Sequence, residues 1–203
     1  MKINSYFIGI DEVGRGPLAG PVTVSAVAMP VNFKFLTKLK DSKQLTENQR
    51  ENWFRYIKKC PEIYRTVANV YPKVIDRINI SRAANLAATR AFKKLIIRHR
   101  GIIARGKIFL DGGLFLNKQT LLVIGRAFTA RTIIRADEKY NCVKLASIVA
   151  KVTRDKAMKR NHKKFPCYAF DKHKGYGTKA HGAAIKKYGP SPIHRQSFIK
   201  NFI

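Results

Sequence analysis

The sequence predicts an α/β fold with one mixed sheet flanked by helices. Three observations predict it. Two short apolar runs lie close together near the N-terminus, two later apolar runs each end at an aspartate, and segments with helical spacing lie between and after them. The two N-terminal strands are close enough to pair antiparallel, and the later strands, which alternate with helices, are typical of parallel pairing.

Apolar runs bounded by turn residues predict five strands. The first ends at the acidic pair Asp11-Glu12, and a stretch rich in glycine and proline separates it from the second. The last two end at Asp111 and Asp137. The predicted strands are Tyr6–Ile10, Val22–Met29, Ile63–Tyr71, Lys107–Leu110 and Thr132–Ala136.

Helical spacing and capping residues predict the helices. Thr46, followed three residues later by Gln49, can form a capping box that favours a helix start. Gly189-Pro190 is typical of a helix end. The predicted helices run from Thr46 to about Lys59, and over Asn79–Arg98, Cys142–Lys159 and Thr178–Lys187.

The composition is strongly basic. The chain has 203 residues, with 41 Lys and Arg against 12 Asp and Glu and a net charge of +29. Such a surface attracts polyanions, so nucleic acid is the first partner to expect. A basic source proteome or a ribosome-like environment is the alternative explanation. The charge by itself says nothing about chemistry.

Cysteine usage and hydropathy indicate a cytoplasmic protein. The three cysteines, Cys60, Cys142 and Cys167, form no CxxC pair, which argues against a zinc site or a disulfide framework. No signal-peptide pattern is present, and no apolar stretch approaches the roughly 20 residues that cross a bilayer. We expect no membrane partner and a monomer, since nothing in the sequence indicates oligomerisation.

The acidic residues indicate a metal-dependent reaction. Asp11-Glu12, Asp111 and Asp137 each follow a predicted strand, and ligands bind at the carboxyl ends of strands in α/β sheets. Four converging carboxylates would repel each other, and Mg²⁺ or Mn²⁺ would relieve that repulsion. Two such ions about 4 Å apart are the usual device for phosphodiester cleavage. The alternative for each acid is a helix cap or a turn residue.

Most other acids are predicted to be structural. Glu47 and Glu51 lie in the first turns of a helix, where negative charge suits the helix dipole. Asp155 and Asp171 lie among basic residues and are expected to form surface ion pairs. Glu138, next to Asp137, is a possible additional ligand.

Five segments of this chain resemble the motifs of one known family. Residues 9–22, GIDEVGRGPLAGPV, resemble the opening motif of the ribonuclease HII family, and Asp41-Ser42-Lys43-Gln44-Leu45 resembles its next block. Residues 146–155, 173–178 and 187–198 resemble its late helix and C-terminal blocks. The matches keep the family order from Gly9 to Phe198 and so cover nearly the whole chain.

The resemblance implies one RNase H-like catalytic domain over residues 1–203, with 160–203 as a C-terminal extension of helix and loop. It implies cleavage of the RNA strand in RNA–DNA hybrids by a two-metal-ion mechanism with Mg²⁺ or Mn²⁺. It also implies incision 5′ of single ribonucleotides in duplex DNA, which leaves a 3′-hydroxyl and a 5′-phosphate and would serve ribonucleotide excision repair.

The resemblance also implies site residues. The catalytic and metal-binding acids of the family correspond to Asp11, Glu12, Asp111 and Asp137. Gly113 stands where the family usually has Asn, and Arg135-Ala136 stand where Lys-Gly is more frequent. The first departure lies beside Asp111 and the second beside Asp137. The segment Asp137-Glu138-Lys139-Tyr140 leaves open whether Glu138 shares the ligand role of Asp137.

Substrate contacts are implied in the same way. Gly14-Arg15-Gly16 resembles the loop whose main chain reads the ribose 2′-hydroxyl, where glycine permits close approach. Tyr176 corresponds to a tyrosine that stacks on the neighbouring sugar and lies in the extension. Candidate phosphate contacts are Ser42, Lys43 and Lys151. From the residues alone, a tight turn and a surface tyrosine are the alternatives.

The C-terminal tail has two interpretations. Gln196, Ile199, Phe202 and Ile203 have the spacing of peptides that dock on sliding clamps. Alternatively, Phe198, Ile199 and Phe202 pack the tail onto the domain.

Two other functions remain open. Ribonuclease HIII carries an added N-terminal domain and a Lys in the Gly-x-Gly loop, whereas this chain has Arg15. A basic nucleic-acid-binding protein without activity would bind strongly after loss of its acids, and the complete set of four acids argues against it.

Overall fold

The computed structural model describes residues 5–35, 37, 39–124 and 127–202. Its centre is a five-stranded sheet of order β3-β2-β1-β4-β5. β1 pairs antiparallel with β2, and β2 with β3, whereas β4 is parallel to β1 and β5 is parallel to β4. The predicted mixed sheet is therefore confirmed. The strands are β1 (Ser5–Val13), β2 (Val22–Pro30), β3 (Tyr64–Val70), β4 (Arg105–Asp111) and β5 (Phe128–Ile133).

Helices cover both faces of this sheet. The long helices α3 and α6 pack on opposite faces, and each encloses its own apolar core against β1, β2 and β4. The helices described are α1 (Glu47–Lys59), α2 (Pro72–Ile78), α3 (Ile80–Arg98), α4 (Lys118–Ile124), α5 (Ala136–Lys139), α6 (Asn141–Lys164), α7 (Phe170–His173) and α8 (Lys179–Tyr188). Within the described residues, no helix is long and apolar enough to cross a membrane.

β1 is the central strand, and its alternating side chains meet both helical layers. Ile8 and Ile10 are buried in the core under α3. Gly9 faces α6, where a Cβ atom would overlap the backbone of Cys142 and Val143. Glycine here lets α6 lie directly against β1, and this close packing brings the next residue on the same face, Asp11, up to α6.

The helix predictions hold with small shifts in their limits. Thr46 caps α1 through the expected capping box with Gln49. α6 continues to Lys164, five residues beyond the predicted end at Lys159, so residue 160 lies within a helix and the extension proper begins after α6. α2, α4 and the four-residue helices α5 and α7 were not predicted from the sequence. α2 begins at Pro72, a residue well suited to the first helical position.

Two strand predictions were wrong in their limits. β1 runs through Asp11 and Glu12 to Val13, because β2 continues to pair with it as far as Val13 opposite Thr23. β5 ends at Ile133, not at residue 136, so Asp137 lies in the first turn of α5. β5 is an edge strand with mostly exposed side chains, so its sequence carries little apolar signal. Of the predicted strand-end acids, Asp111 ends its strand as expected.

The C-terminal extension packs against the loop that joins β1 to β2. A third apolar core contains Leu18 and Ala19 of this loop together with Phe170, Ile185 and Ile199 of the extension. Main-chain hydrogen bonds from Leu18 to Gly175 and from Arg195 to Leu18 hold the two segments together. The extension thus completes one wall of the site described next.

Candidate active site

The four acids converge where β1 and β4 run side by side. β4 pairs in parallel with β1, with Ile10 beside Leu110, so the next positions along the two strands are Asp11 and Asp111. Asp137 joins them because the main-chain N–H of Ala136 donates to Asp111 Oδ1 at 2.6 Å. Asp111 Oδ1 thus accepts from two main-chain N–H groups in the first turn of α5, which lies 25 residues further along the chain.

Burial and mutual repulsion perturb these acids. Burial, followed by the charges of Glu12 and Asp111, raises the pKa of Asp11 well above its usual value. Burial also raises the pKa of Glu12, against the opposing effect of Arg15. Burial and then the charge of Asp137 raise the pKa of Asp111. Strongly shifted carboxyl groups that share one cavity are typical of a functional site.

Two basic side chains partly neutralise the cluster. Lys43 Nζ donates to Asp137 Oδ2 at 2.7 Å, and this hydrogen bond is the main cause of the raised pKa of Lys43. Arg15 Nη1 donates to Glu12 Oε1 at 3.2 Å, while its Nη2 donates to Ser81 at the start of α3. The Lys43 side chain is 71% exposed, whereas that of Asp137 is only 2% exposed. Lys43 can therefore turn to another anion at little cost only if another cation takes its place at Asp137.

Two carboxylate oxygens of the acid cluster are left without hydrogen-bond partners among the described residues. Glu12 Oε2 and Asp137 Oδ1 are buried and accept no hydrogen bond from any described residue. A buried unpaired carboxylate oxygen is costly unless a cation or donor reaches it. In the described ranges, no three Asp, Glu, His or Cys side chains are arranged closely enough to coordinate one metal ion together.

The Gly14-Arg15-Gly16 loop forms the next part of the wall. Gly14 has φ +91°, in the left-handed region, and a Cβ atom there would overlap the Arg154 side chain. Only glycine fits both the conformation and the space. The segment is therefore a tight turn, as the alternative interpretation of Gly14-Arg15-Gly16 predicted. This turn lies at the edge of the acid cluster.

The eleven residues that the resemblance assigns to catalysis or substrate contact line one cavity of about 410 Å³. Tyr176 stands at its rim, 41% exposed, with the Arg154 guanidinium 5.9 Å from its ring centroid. Lys151 lines it too and pairs with Asp155 at 3.0 Å. The set comprises Asp11, Glu12, Gly14, Arg15, Gly16, Ser42, Lys43, Asp111, Asp137, Lys151 and Tyr176.

Sequence reasoning missed two polar residues of this cavity. The Ser147 hydroxyl lies 2.7 Å from the Ser42 hydroxyl and lowers the pKa of the Asp11 carboxyl, against the larger effect of burial. Arg50 lines the cavity and donates to the Ser42 carbonyl at 3.0 Å. Ser147 could have been found, because it lies four residues before Lys151 and so on the same face of the helix.

Three other acids differ from or refine their predicted roles. Asp155 is buried, not on the surface as predicted, and it forms an ion pair with Lys151 one turn earlier on α6. Asp171 pairs with His162 at 3.2 Å. Glu138 is about half exposed, lies 3.8 Å from Arg135 Nε and does not line the cavity, so it remains a prediction as a ligand.

The sheet and the grouped acids define the class of RNase H-like nucleases. The fold matches the crystal structure of ribonuclease H2 from Pyrococcus horikoshii, with a TM-score of 0.74 and 29% identity, over 95% of this chain and 93% of that one. It also matches ribonuclease HII from Archaeoglobus fulgidus, solved in complex with PCNA, with a TM-score of 0.70 and 23% identity over 97% and 96% of the two chains. The second likeness bears on the fold alone.

Sequence comparison narrows the class to one family. The family model of ribonuclease HII matches residues 8–201. Ribonuclease HII of Endomicrobium trichonymphae is 45% identical over 94% of this chain and 83% of its own length. That of Treponema denticola is 40% identical over 95% and 98%. The chain belongs to the ribonuclease HII family, and membership implies a divalent-metal-dependent hydrolase that cleaves the RNA strand of RNA–DNA hybrids.

Proposed function

We propose that this enzyme also incises duplex DNA on the 5′ side of a single embedded ribonucleotide, and that it leaves a 3′-hydroxyl and a 5′-phosphate. The supporting observation is that the acids, the Gly14-Arg15-Gly16 loop and Tyr176 line one cavity. A hydrolytic centre and a candidate reader of ribose therefore lie within reach of one nucleotide. The cell compartment we propose is the cytoplasm.

The acid cluster suits a pair of divalent cations, Mg²⁺ or Mn²⁺, held by Asp11, Glu12, Asp111 and Asp137. The two unpartnered buried oxygens and the raised pKa values of three of the acids support this assignment. Mg²⁺ usually retains several waters and binds through one or two carboxylates with substrate phosphates, so it needs no closed cage of three protein ligands. Bound cations of this kind activate a water nucleophile and neutralise charge on the leaving oxygen.

The other cavity residues would orient the substrate. Main-chain groups of residues 14–16 contact the 2′-hydroxyl, which both donates and accepts hydrogen bonds. Tyr176 stacks on the adjoining sugar. Ser42, Lys43 and Lys151 contact phosphates, and Lys43 does so by leaving Asp137. The net charge of +29 concentrates the polyanionic substrate near the protein.

Single neutralisations of the four acids test this assignment. Asp11→Asn, Glu12→Gln, Asp111→Asn and Asp137→Asn should each reduce Mg²⁺-dependent cleavage of a duplex with one ribonucleotide, measured by gel assay over a metal titration. Glu138→Gln is the matched control and should retain activity. Near-wild-type cleavage by Asp11→Asn would refute the assignment. Loss of activity in Glu138→Gln alone, with Asp137→Asn active, would transfer the fourth role to Glu138.

A sliding clamp is a further proposed partner, through the C-terminal tail. Ile199 is fully buried and Phe202 lies against Gly182, so docking on a clamp would require the tail to leave the domain. Ile203 lies outside the described residues. Deletion of residues 199–203 should lower the melting temperature and abolish pull-down by a bacterial clamp. A lower melting temperature with unchanged pull-down would eliminate the clamp proposal and leave packing as the function of the tail.

A further inference from the structure

Arg195 is a fully buried arginine that is bound by main-chain carbonyl groups. Its guanidinium donates to Gly14 O at 2.6 Å, to Arg15 O at 2.7 Å and twice to Gly20 O at 3.0 Å. Within the described residues, it forms no ion pair with a carboxylate. Burial lowers its pKa to about 9, so the side chain remains charged at neutral pH.

A buried cation of this kind is a costly way to stabilise a loop. Removing an ionic group from water costs several kcal/mol, and apolar replacements of buried charges are often neutral or stabilising. Strong charge-assisted hydrogen bonds offset the cost only when the donors and acceptors are well placed. The planar guanidinium of Arg195 holds three carbonyl oxygens in a fixed arrangement. Its presence therefore indicates that this loop must keep one defined backbone conformation.

The orientation of the carbonyl groups also fixes the orientation of two N–H groups, because each carbonyl and the N–H that follows it belong to one planar peptide. In a trans peptide the carbonyl oxygen and the following N–H point in opposite directions. Because Arg195 holds the carbonyl groups of Gly14 and Arg15, the N–H groups of Arg15 and Gly16 are turned away from the guanidinium. In the described part of the chain neither N–H has an acceptor, and both residues line the active-site cavity.

Arg154 of α6 provides a comparison, because it binds other carbonyl groups of the same loop. It is equally buried and donates to the carbonyl groups of Ala19, Pro21 and Lys174. Arg154 packs against Gly14 and lies near the Tyr176 ring, but its hydrogen bonds go to the far end of the loop and to the extension. Only Arg195 binds the carbonyl groups of Gly14 and Arg15 among the described residues.

We infer that Arg195 is a positioning residue for ribose recognition: it orients the N–H groups of Arg15 and Gly16 so that they meet the 2′-hydroxyl of the substrate. This inference rests on the proposed recognition of a single ribonucleotide. Arg195 touches no substrate itself, and its effect is on the difference in affinity between a ribonucleotide and a deoxyribonucleotide.

Competition kinetics tests the inference. KM is measured for a duplex with one ribonucleotide, and Ki for an all-DNA duplex of the same sequence as competitor. Arg195→Lys keeps the positive charge but cannot reach three carbonyl groups, so the ratio Ki/KM should fall about tenfold, as expected for loss of one or two hydrogen bonds. Arg195→Met, which removes the cost of a buried charge, is a second variant and should show the same fall.

Arg154→Lys is the matched control. Its melting temperature should fall as much as that of Arg195→Lys, while its Ki/KM ratio stays within about twofold of the wild type. An unchanged ratio in either folded Arg195 variant overturns the inference, as does an equal fall in Arg154→Lys. If the wild type itself has a ratio near one, the proposed single-ribonucleotide recognition fails, and the role of Arg195 fails with it.

Discussion

Asp11→Asn should make the metal-free protein more stable while it abolishes cleavage. Asp11 is only 5% exposed, and burial together with Glu12 and Asp111 raises its pKa well above the usual value. Asparagine has nearly the same shape and retains an oxygen that can accept from the Glu12 N–H, as Asp11 Oδ1 does at 2.7 Å. The substitution therefore removes a destabilising charge and preserves this hydrogen bond.

The magnitude follows from linkage between protonation and folding. Each pH unit by which the native pKa exceeds the unfolded value costs about 1.4 kcal/mol when the carboxyl is ionised. For a protein of 203 residues, 1 kcal/mol shifts the melting temperature by about 2–4 °C. We expect metal-free Asp11→Asn to melt above the wild type at pH 8, by about 2–4 °C for each 1 kcal/mol of this penalty that the substitution removes.

Linkage also fixes the direction in which this difference in melting temperature changes with pH. The penalty is fully present above the native pKa, and it is relieved as the pH falls through that value, because the native carboxyl then takes up a proton. The gap between the variant and the wild type should thus shrink at pH 5. Added Mg²⁺ should raise the melting temperature of the wild type more than that of the variant.

Differential scanning fluorimetry in EDTA at both pH values measures this, with Asp76→Asn as control. Asp76 accepts from the N–H groups of Gln196 and Ser197 at 3.0 Å, so neutralising it should lower the melting temperature. If Asp11→Asn also melts below the wild type at pH 8, the claim that the acids of the cluster strain the metal-free protein is incorrect.

Three further predictions concern the substrate and the fold. Tyr176→Ala should reduce incision at a lone ribonucleotide by at least about fivefold, the low end of a lost stacking contact, and should affect continuous hybrid less; equal losses in kcat/KM on both substrates would count against a role at the junction. Burial lowers the pKa of His181 to about 4, so stability should decline by about 1.4 kcal/mol per pH unit between pH 6.5 and 4, where only the unfolded state binds the proton. Urea unfolding should show a shallower pH dependence for His181→Gln, and an identical dependence would contradict this. Affinity for hybrid should decrease steeply with salt, with a log–log slope of about −0.9 per phosphate contacted, and a flat plot would show that the basic surface is not used on the substrate.

Local patterns in the sequence predicted most of the fold. The capping box at Thr46 and the helical spacing in α3 are local signals, and both helices form as expected. β5 was misplaced because an edge strand with exposed side chains has no alternating pattern, whereas the apolar Ile134 beyond it is exposed in a turn. α4 carries exposed apolar residues, so its sequence lacks the separation of apolar and polar faces that predicts an amphipathic helix.

The candidate site was predicted as a set of residues but not as an arrangement. Motif resemblance selected eleven residues that line one cavity. The partners of these residues come from distant parts of the chain, such as Lys43 for Asp137 or Arg195 for Gly14, and spacing within one sequence carries no sign of such contacts. The orientation of the acids likewise depends on how α6 packs on Gly9, which only the folded chain reveals.

The most direct test is to map the cut in a DNA duplex that contains one ribonucleotide, with and without a divalent cation. The proposed function predicts a single metal-dependent break on the 5′ side of the ribonucleotide, with a 3′-hydroxyl and a 5′-phosphate at the ends. Cleavage that persists in EDTA, a break on the 3′ side, or cutting of continuous hybrid with no cut at the lone ribonucleotide would contradict it.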